Sequence, residues 1–482
     1  MTAPRQSVLF VDLDGTLVAT DVLWEAFMRV VKAQPWVVFV MPLWLLRGRA
    51  ALKREMSARA AVEPASLPYR DDVVAYIKQR RIDGCRVVLA TASDRRWADG
   101  VAAHLELFDD VIASDGERNL KGAHKLAAID AYRAEHELGA WGYVGDASAD
   151  MPIWTKADEV LMVEPSAGLL SRVRASKEPA HVFGKRKGKL RAIAKAMRVH
   201  QWVKQVLLLV PLLLARRFDD VTLLVDAAAA FLAFSLCASS VYVVNDLADI
   251  EADRHHPRKR KRPFAAGTLP IMFGPPLLVA LLIGAFTISA LMLPASFMAL
   301  LVLYLIVNGL YSSVLKSKVL VDVMVLASLY TLRIYAGGVA TELVVSEWLL
   351  AFSIFMFTSL AFAKRYVEMA RLSREGATAA KGRGYQVGDL SLIESIGPTS
   401  GYLAVLVFAL YIHEGAPEVY ANKSLLWLTC PLLLYWITRL WFLAKRAELH
   451  DDPVVFAVTD KVSLGVGATV GILVLLAGLP VW

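Results

Sequence analysis

The sequence predicts two parts of different class: an N-terminal α/β domain with a helical insert, and a C-terminal all-α multi-pass bundle of nine transmembrane helices. Three observations predict this. Short apolar strands ending in polar clusters occur three times in the first 150 residues. Apolar runs of membrane-spanning length start near Trp202 and recur to the C-terminus. Lys and Arg gather in alternate loops between those runs.

The composition sets the bounds. Of 482 residues, 56% are hydrophobic, and the mean hydropathy of +0.48 is too high for an ordinary soluble protein. Residues 1–180 have the texture of a soluble domain, 181–196 read as a basic linker, and 197–482 as the membrane domain. The formal charge is +8. Because the basic residues flank apolar spans, topology explains them better than nucleic acid, which is not an expected partner. Cys85, Cys237 and Cys430 match no metal or redox spacing and fit a reducing compartment. Residues 7–11 are too short for a signal-peptide core and run straight into Asp12, so no signal peptide is expected.

The nine spans are expected near 201–215, 224–244, 271–293, 295–312, 320–341, 347–363, 398–413, 424–443 and 464–481. Loops after the even-numbered spans hold seventeen Lys and Arg, and those after the odd-numbered spans before the last hold three. The excess places the charged loops and the N-terminal domain in the cytoplasm, the C-terminus outside, and the chain in the inner (cytoplasmic) membrane. An odd number of spans agrees with that topology. The linker segment Gly184-Lys185-Arg186-Lys187-Gly188-Lys189 is expected to lie against anionic headgroups.

In the N-terminal part, residues 7–11 lead into Asp12-Leu13-Asp14-Gly15-Thr16. The strand 86–90 leads into Thr91-Ala92-Ser93, and the strand 142–144 into Gly145-Asp146, with Asp150 four residues on. Open α/β sheets place their sites at such carboxyl ends. Of two alternating carboxylates, one can attack phosphorus while the other handles protons. Asp146 and Asp150 add oxygens for magnesium, which prefers few protein ligands beside phosphate and water. Thr91 can hydrogen-bond a phosphoryl oxygen, and Lys125, with Lys121 as competitor, can neutralise one. Four ordered motifs make merely solvated strand ends a poor explanation.

Over residues 7–160 these motifs resemble the HAD superfamily. The resemblance implies Asp12 as nucleophile forming an aspartyl phosphate, Asp14 as acid/base, Thr91 and Lys125 as phosphate holders, and Asp12, Asp14, Asp146 and Asp150 around Mg2+. It also makes residues of about 20–75 a cap. The stretch from Pro35 to Leu46 is almost wholly apolar. It reads either as a helix packed within the cap or as a membrane-touching face.

After the second span comes Asn245-Asp246-Leu247-Ala248-Asp249-Ile250-Glu251-Ala252-Asp253. On one helix Asn245, Asp249 and Asp253 share a face, with Asp246 beside them. Like charges so placed repel, and carboxylates near a bilayer are costly, so the row suggests magnesium carrying a diphosphate. Arg254, Arg258, Lys259 and Arg262 either hold phosphate oxygens or set topology. Arg333, inside the fifth span, is 11 residues after Asp322 and faces the same way. An intramembrane arginine meets a ligand phosphate or joins a buried ion pair. The loop after span six, with Lys364, Arg365, Glu368, Arg383 and Asp389, reads as a lid or a plain connection.

The aspartate run resembles the first motif, NDxxDxxxD, of the UbiA superfamily, over residues 193–482. That superfamily holds intramembrane prenyltransferases and a branch that moves phosphoribose from phosphoribosyl diphosphate (PRPP) to a polyprenyl phosphate. Residues 200–204, 262–267, 311–322, Leu332-Arg333 and 364–366 look like the second branch. Prenyltransferases usually carry a second aspartate pair, whereas here Asp322 stands alone. The resemblance makes Asp246, Asp249 and Asp253 metal ligands. Asn245, Arg254, Arg262, Lys204, Lys316, Lys318, Asp322, Arg333, Lys364 and Arg365 become substrate contacts. His450-Asp451-Asp452 and Asp460 also resemble residues near the site.

The implied function is Mg2+-dependent transfer of 5-phosphoribose from PRPP to polyprenyl phosphate, then removal of the 5-phosphate by the HAD domain. The product would be a lipid-linked pentose donor for envelope glycan. The alternatives are prenyl transfer from a prenyl diphosphate to a small acceptor and a HAD domain serving only as a regulatory module. A transporter is weaker, for want of an inverted repeat. A homo-oligomer is left open.

Overall fold

The computed structural model describes residues 6–115, 118–185, 188–376, 378–379, 383–415, 420–449 and 452–479. Arg186 and Lys187 of the linker, and His450 and Asp451, lie outside the described residues. The chain forms two compact units: Met1–Ala196 with Val243–Leu277, and Met197–Tyr242 with Leu278–Trp482.

The first unit is built on six parallel strands: β1 (Val8–Val11), β2 (Arg86–Asp94), β3 (Asp110–Ser114), β4 (Trp141–Gly145), β5 (Glu159–Val163) and β6 (His181–Phe183). Their spatial order is β3-β2-β1-β4-β5-β6. Every residue of β1 is buried, as expected for a parallel strand covered on both faces. Its side chains alternate between two cores. Leu9 and Val11 pack with Val87, Leu89 and Val144 on one face. Val8 and Phe10 pack with Val88, Tyr143 and Met162 on the other. The strand order reverses between β1 and β4, which places the ends of those two strands at the switch point where such sheets bind ligands. β2 runs four residues beyond the expected end at Ala90, so Thr91–Ser93 belong to a strand rather than a loop.

Between β1 and β2 the chain forms α1 (Val22–Ala33), α2 (Val37–Leu46) and α3 (Arg49–Arg59), then returns through α4 (Asp71–Ile82). Asp21 caps α1, its side chain accepting from the Leu23 and Trp24 amides. The remaining helices of the α/β layers are α5 (Arg95–Leu105), α6 (Ala123–Glu135), α7 (Met151–Trp154) and α8 (Ala167–Arg174).

Residues 243–277, the loop after the second expected span, pack with this unit. Gly267, at φ +67°, lies so close to the Ala19 carbonyl that a Cβ would overlap it. The helix Val221–Ala248 stops before Asp249, whose φ −110°, ψ 13° breaks it, and a short helix resumes at Ile250–His255. The acidic row expected on one helix is therefore divided. Asn245 and Asp246 lie on the last turn of the first helix and Asp253 on the second.

Elsewhere the described residues are mostly helical. Among the described residues, seven helices are long and apolar enough to cross a membrane, where nine were expected. The two that fall short are the first and last, Val199–Ala215 and Lys461–Ala477. Val199–Leu209 is wound as a 3-10 helix. Its rise of about 2 Å per residue lets few residues reach far. Asp460 starts the last helix only at Lys461, its carboxylate accepting from the Ser463 amide. The helix Glu347–Arg374 overruns the expected end at 363, so Lys364, Arg365 and Glu368 sit on a helix and not on a lid-like loop.

Candidate active sites

The first cluster forms where β1 and β4 end. Asp12 follows β1, and its Oδ1 accepts from the Leu13 amide at 2.9 Å and pairs with Lys125 Nζ at 2.9 Å. Lys125 comes from the first turn of α6 and is buried. It also donates to Tyr143 Oη at 2.8 Å and lies 3.6 Å from Asp150. Lys121 is exposed, so geometry separates the two competing lysines. Asp150 accepts from Tyr143 Oη at 2.9 Å and from the Ala147 amide at 3.2 Å. Asp146 accepts from Thr16 Oγ1 at 3.4 Å. Gly15, at φ +77°, has no room for a Cβ beside the Asp146 carboxylate. Thr91 is wholly buried, and its Oγ1 accepts from the Ser93 amide at 3.0 Å.

Asp14 is held by two donors, the Val22 amide at 2.8 Å and Ser93 Oγ at 2.5 Å. Ser93 closes the Thr91-Ala92-Ser93 segment, whose sequence alone gives it no role. Lys53, from α3 of the cap, was missed altogether. It donates to the Ala92 carbonyl and to Asn119 Oδ1 at 3.1 Å. Burial lowers its pKa, against the pull of Asp14 and Asp21. No spacing in the sequence points from residue 53 to this site, because the cap fold alone brings it there.

The carboxylates are crowded. Asp12, Asp146 and Asp150 each place one oxygen within 4.8 Å of the others. Burial pushes the Asp12 carboxyl up to about 6, although Lys125 pulls it down. Burial, helped by Asp21, pushes Asp14 up to about 6, against the hydrogen bonds from Ser93 and Val22. Burial, then Asp12 and Asp150, push Asp146 up to about 8. A divalent cation relieves such repulsion, and an all-oxygen set suits magnesium. Because Asp146 must shed its proton to ligate, Mg2+ affinity should rise by up to about tenfold per pH unit until about pH 8. Calorimetry on the full chain at about pH 6, 7 and 8 measures this, and an affinity flat across that range removes Asp146 from the ligand set.

The acidic row beyond Val221–Ala248 has a different arrangement. Asp246 and Asp253, both buried, converge on Arg262 Nη1 at 3.2 and 2.6 Å. Asp249 is half exposed and lies 3.9 Å from Lys32. Burial raises the Asp253 carboxyl, with Arg262 opposing. Arg262 thus supplies positive charge between two of the three carboxylates. Arg254 is buried against the cap, its Nη2 2.5 Å and its Nη1 3.2 Å from Glu25. It also donates to the Ser66 and Ala265 carbonyls. Glu25 in turn accepts from Thr20 Oγ1 at 2.8 Å, so one chain of contacts links the loop of Asp14 to the loop of Asp253.

In the second unit Arg333 is buried and donates to Gln205 Oε1 at 2.9 Å, Tyr304 Oη at 3.3 Å and the Leu329 carbonyl. Its guanidinium lies 5.2–5.4 Å from the ring centres of Phe234, Tyr304 and Tyr330. Among the described residues its partners are neutral groups and aromatic faces, and it forms no ion pair. Lys204 and Lys364 share Asp452 Oδ2, at 2.6 and 3.5 Å. Burial alone would raise the Asp452 carboxyl, but the two lysines hold it well below the usual carboxylate range. Asp322 is fully buried. It accepts from Arg365 Nε at 2.6 Å and Tyr385 Oη at 2.8 Å, with Arg383 at 3.6 Å. Lys316 is half-buried beside a short turn, Lys318 is exposed, and Asp460 pairs with Arg439 at 2.7 Å.

Together these features define a two-part enzyme, a hydrolase-type site on an α/β sheet joined to a multi-pass helical membrane domain. The chain belongs to the UbiA prenyltransferase family, whose family model matches residues 206–476. The haloacid dehalogenase-like hydrolase model matches residues 9–154. Magnesium is the metal of both families, and Asp12, Asp146 and Asp150 fit it. An uncharacterised protein, y4nM, of Sinorhizobium fredii is 37% identical over 97% of this chain and 90% of its own length. Nodulation protein NoeC of Azorhizobium caulinodans is 35% identical over 56% of this chain and 88% of its own. The decaprenyl-phosphate phosphoribosyltransferase of Mycobacterium tuberculosis is 37% identical over 46% of this chain and 74% of its own.

Proposed function

We propose that the membrane domain transfers 5-phosphoribose from PRPP to a polyprenyl phosphate, and that the HAD domain then removes the ribose 5-phosphate. The observation that carries this reading is the 37% identity to a decaprenyl-phosphate phosphoribosyltransferase in a chain that also holds a hydrolase site. In the first step a lipid phosphate oxygen forms a bond to the anomeric carbon, and the bond from that carbon to diphosphate breaks. Asp246, Asp249 and Asp253, with Asn245, receive the diphosphate end. Arg262 can turn from its carboxylates to phosphate oxygens as that end arrives. Arg333 receives the lipid phosphate, and Lys204, Lys364, Lys316 and Lys318 supply further positive charge. The family name also admits prenyl transfer from a prenyl diphosphate. The burial of Asp322 beneath Arg365 and Tyr385 favours the phosphoribosyl reading, because it leaves a single acidic row to bind a diphosphate.

In the second step Asp12 attacks the 5-phosphate and the phosphorus–ribose oxygen bond breaks. Asp14 gives that oxygen its proton, then takes one from the water that hydrolyses the aspartyl phosphate. A carboxyl raised to about 6 can serve in both directions near neutral pH. Thr91 and Lys125 hold phosphoryl oxygens. Magnesium, held by Asp12, Asp146 and Asp150, would offset phosphate charge. The N-terminal domain and the charged loops lie in the cytoplasm in this reading, where PRPP is available.

Mass spectrometry of lipids from membranes given Mg2+, polyprenyl phosphate and PRPP tests the scheme. A ribosyl lipid supports it, while prenyl transfer without ribose in lipid overturns it. Arg333→Met gives a sharper reading. Aromatic faces surround much of the guanidinium, but its removal leaves the buried Gln205 oxygen without a donor, at a cost of about 1–3 kcal/mol. Transfer should fall by about 100-fold or more, while the thermal midpoint falls by only a few degrees. A large loss of stability instead would make Arg333 a packing residue.

A further inference from the structure

The apolar helix α2 lies on the cap as an outward-facing ridge, and we propose that it embeds in an anionic lipid bilayer. Its ten residues, Val-Val-Phe-Val-Met-Pro-Leu-Trp-Leu-Leu, are all apolar. One side fills the cap core through Val37 and Trp44. The other faces outward: Trp36 is 54% exposed, Phe39 84%, Leu43 58% and Leu46 84%. Positions 36, 39, 43 and 46 follow helical spacing, so they form one ridge. A helix facing water would carry polar residues there, and a ridge of large apolar groups marks an interaction surface.

The bilayer is singled out by where the ridge begins. Lys32, at the end of α1, donates to the carbonyl of Ala248 at 2.8 Å, the last residue of a membrane-crossing helix. Arg29, one turn earlier, pairs with Glu251 at 3.2 Å. α1 also lies against Ile271–Phe273, where the next apolar helix starts. These contacts hold α1 to the 243–277 segment, which joins two apolar helices long enough to cross a membrane. Trp36 follows Lys32 by four residues, a reach of at most about 14 Å. Charge agrees: between Glu25 and Glu55 the sequence has six basic residues and no acidic one. Lys32 and Arg47 are exposed at the two ends of α2. Basic flanks around an apolar ridge suit anionic headgroups.

α3 follows α2 after Gly48 and delivers Lys53 beside Asp14 and Ala92. A cap seated in the headgroup layer would bring the hydrolase site to a phosphate carried on lipid. This part rests on the reading proposed above, whereas the docking surface itself does not.

The test uses the full chain in nanodiscs containing phosphatidylglycerol. Phe39→Cys and Leu46→Cys variants carry a fluorescent label, and Ile82→Cys serves as control. Ile82 is 78% exposed at the end of α4, which leads into the start of β2, at the end of the sheet opposite the site. Labels at 39 and 46 should be quenched by doxyl lipids, shielded from iodide, and lie about 5–10 Å below the headgroup boundary. The label at 82 should behave in reverse. Iodide quenching at 39 and 46 equal to that at 82 overturns the proposal, whatever product the enzyme makes. Lipid-buried labels with no ribosyl lipid formed would sink the proposed reaction and leave the docking surface standing.

Discussion

Asp12→Asn is expected to stop phosphatase turnover almost completely, by about 10^4-fold or more. The amide has nearly the shape of the carboxylate but cannot form the aspartyl phosphate. The substitution also removes one of three crowded negative charges, so the fold should survive it. Lys125 keeps Asp150 and Tyr143 as partners. Transfer on the membrane domain should continue, so the variant should accumulate a lipid that still carries the ribose phosphate. Lipid mass spectrometry separates the two products by one phosphate. Full phosphatase turnover in this variant would make the α/β domain a docking or regulatory module.

Asp322→Ala is expected to damage the fold before it affects any substrate. It leaves the Arg365 guanidinium buried without its fully buried counter-ion and leaves Tyr385 without its acceptor. Removing one partner of a buried pair typically costs about 3–5 kcal/mol. Glu368, 2.6 Å from Arg365, offsets a part of that. Thermal unfolding in detergent, read against Asp322→Asn, measures the loss. The asparagine keeps an acceptor for Tyr385 and for Arg365, so it should recover much of the stability. A stable Asp322→Ala that merely binds PRPP more weakly would return Asp322 to the substrate contacts.

The legible part of this chain was its strand ends. Asp12 and Asp146 follow short apolar strands, and that local pattern is enough to set them at the mouth of a parallel sheet. The choice between Lys121 and Lys125 was not legible, because both lie near the start of one helix and only burial separates them. Ser93 sits inside a recognised motif, yet its bond to Asp14 spans 79 residues. Lys53 depends on how three cap helices fold back over the site. Asp322 was visible as a solitary aspartate. Its partners, Arg365 and Tyr385, lie 43 and 63 residues on and needed the three-dimensional fold. The acidic row was read as one helix because its spacing is helical, and a single residue, Asp249, breaks it. Spacing carries no information on where a backbone kinks.

The contact of Arg254 with Glu25 bears on how such a fusion can change over generations. The linker near 185–189 looks like a place to cut the gene in two. A chain starting after Ala196 would nevertheless carry Arg254 with its counter-charge left behind, and a chain ending there would leave Glu25 buried without its arginine. That pair ties the α/β half to the 243–277 loop, so a substitution at residue 25 is expected to be better tolerated when residue 254 changes with it. Descendants that discard the α/β half must first make the 243–277 loop comfortable in water.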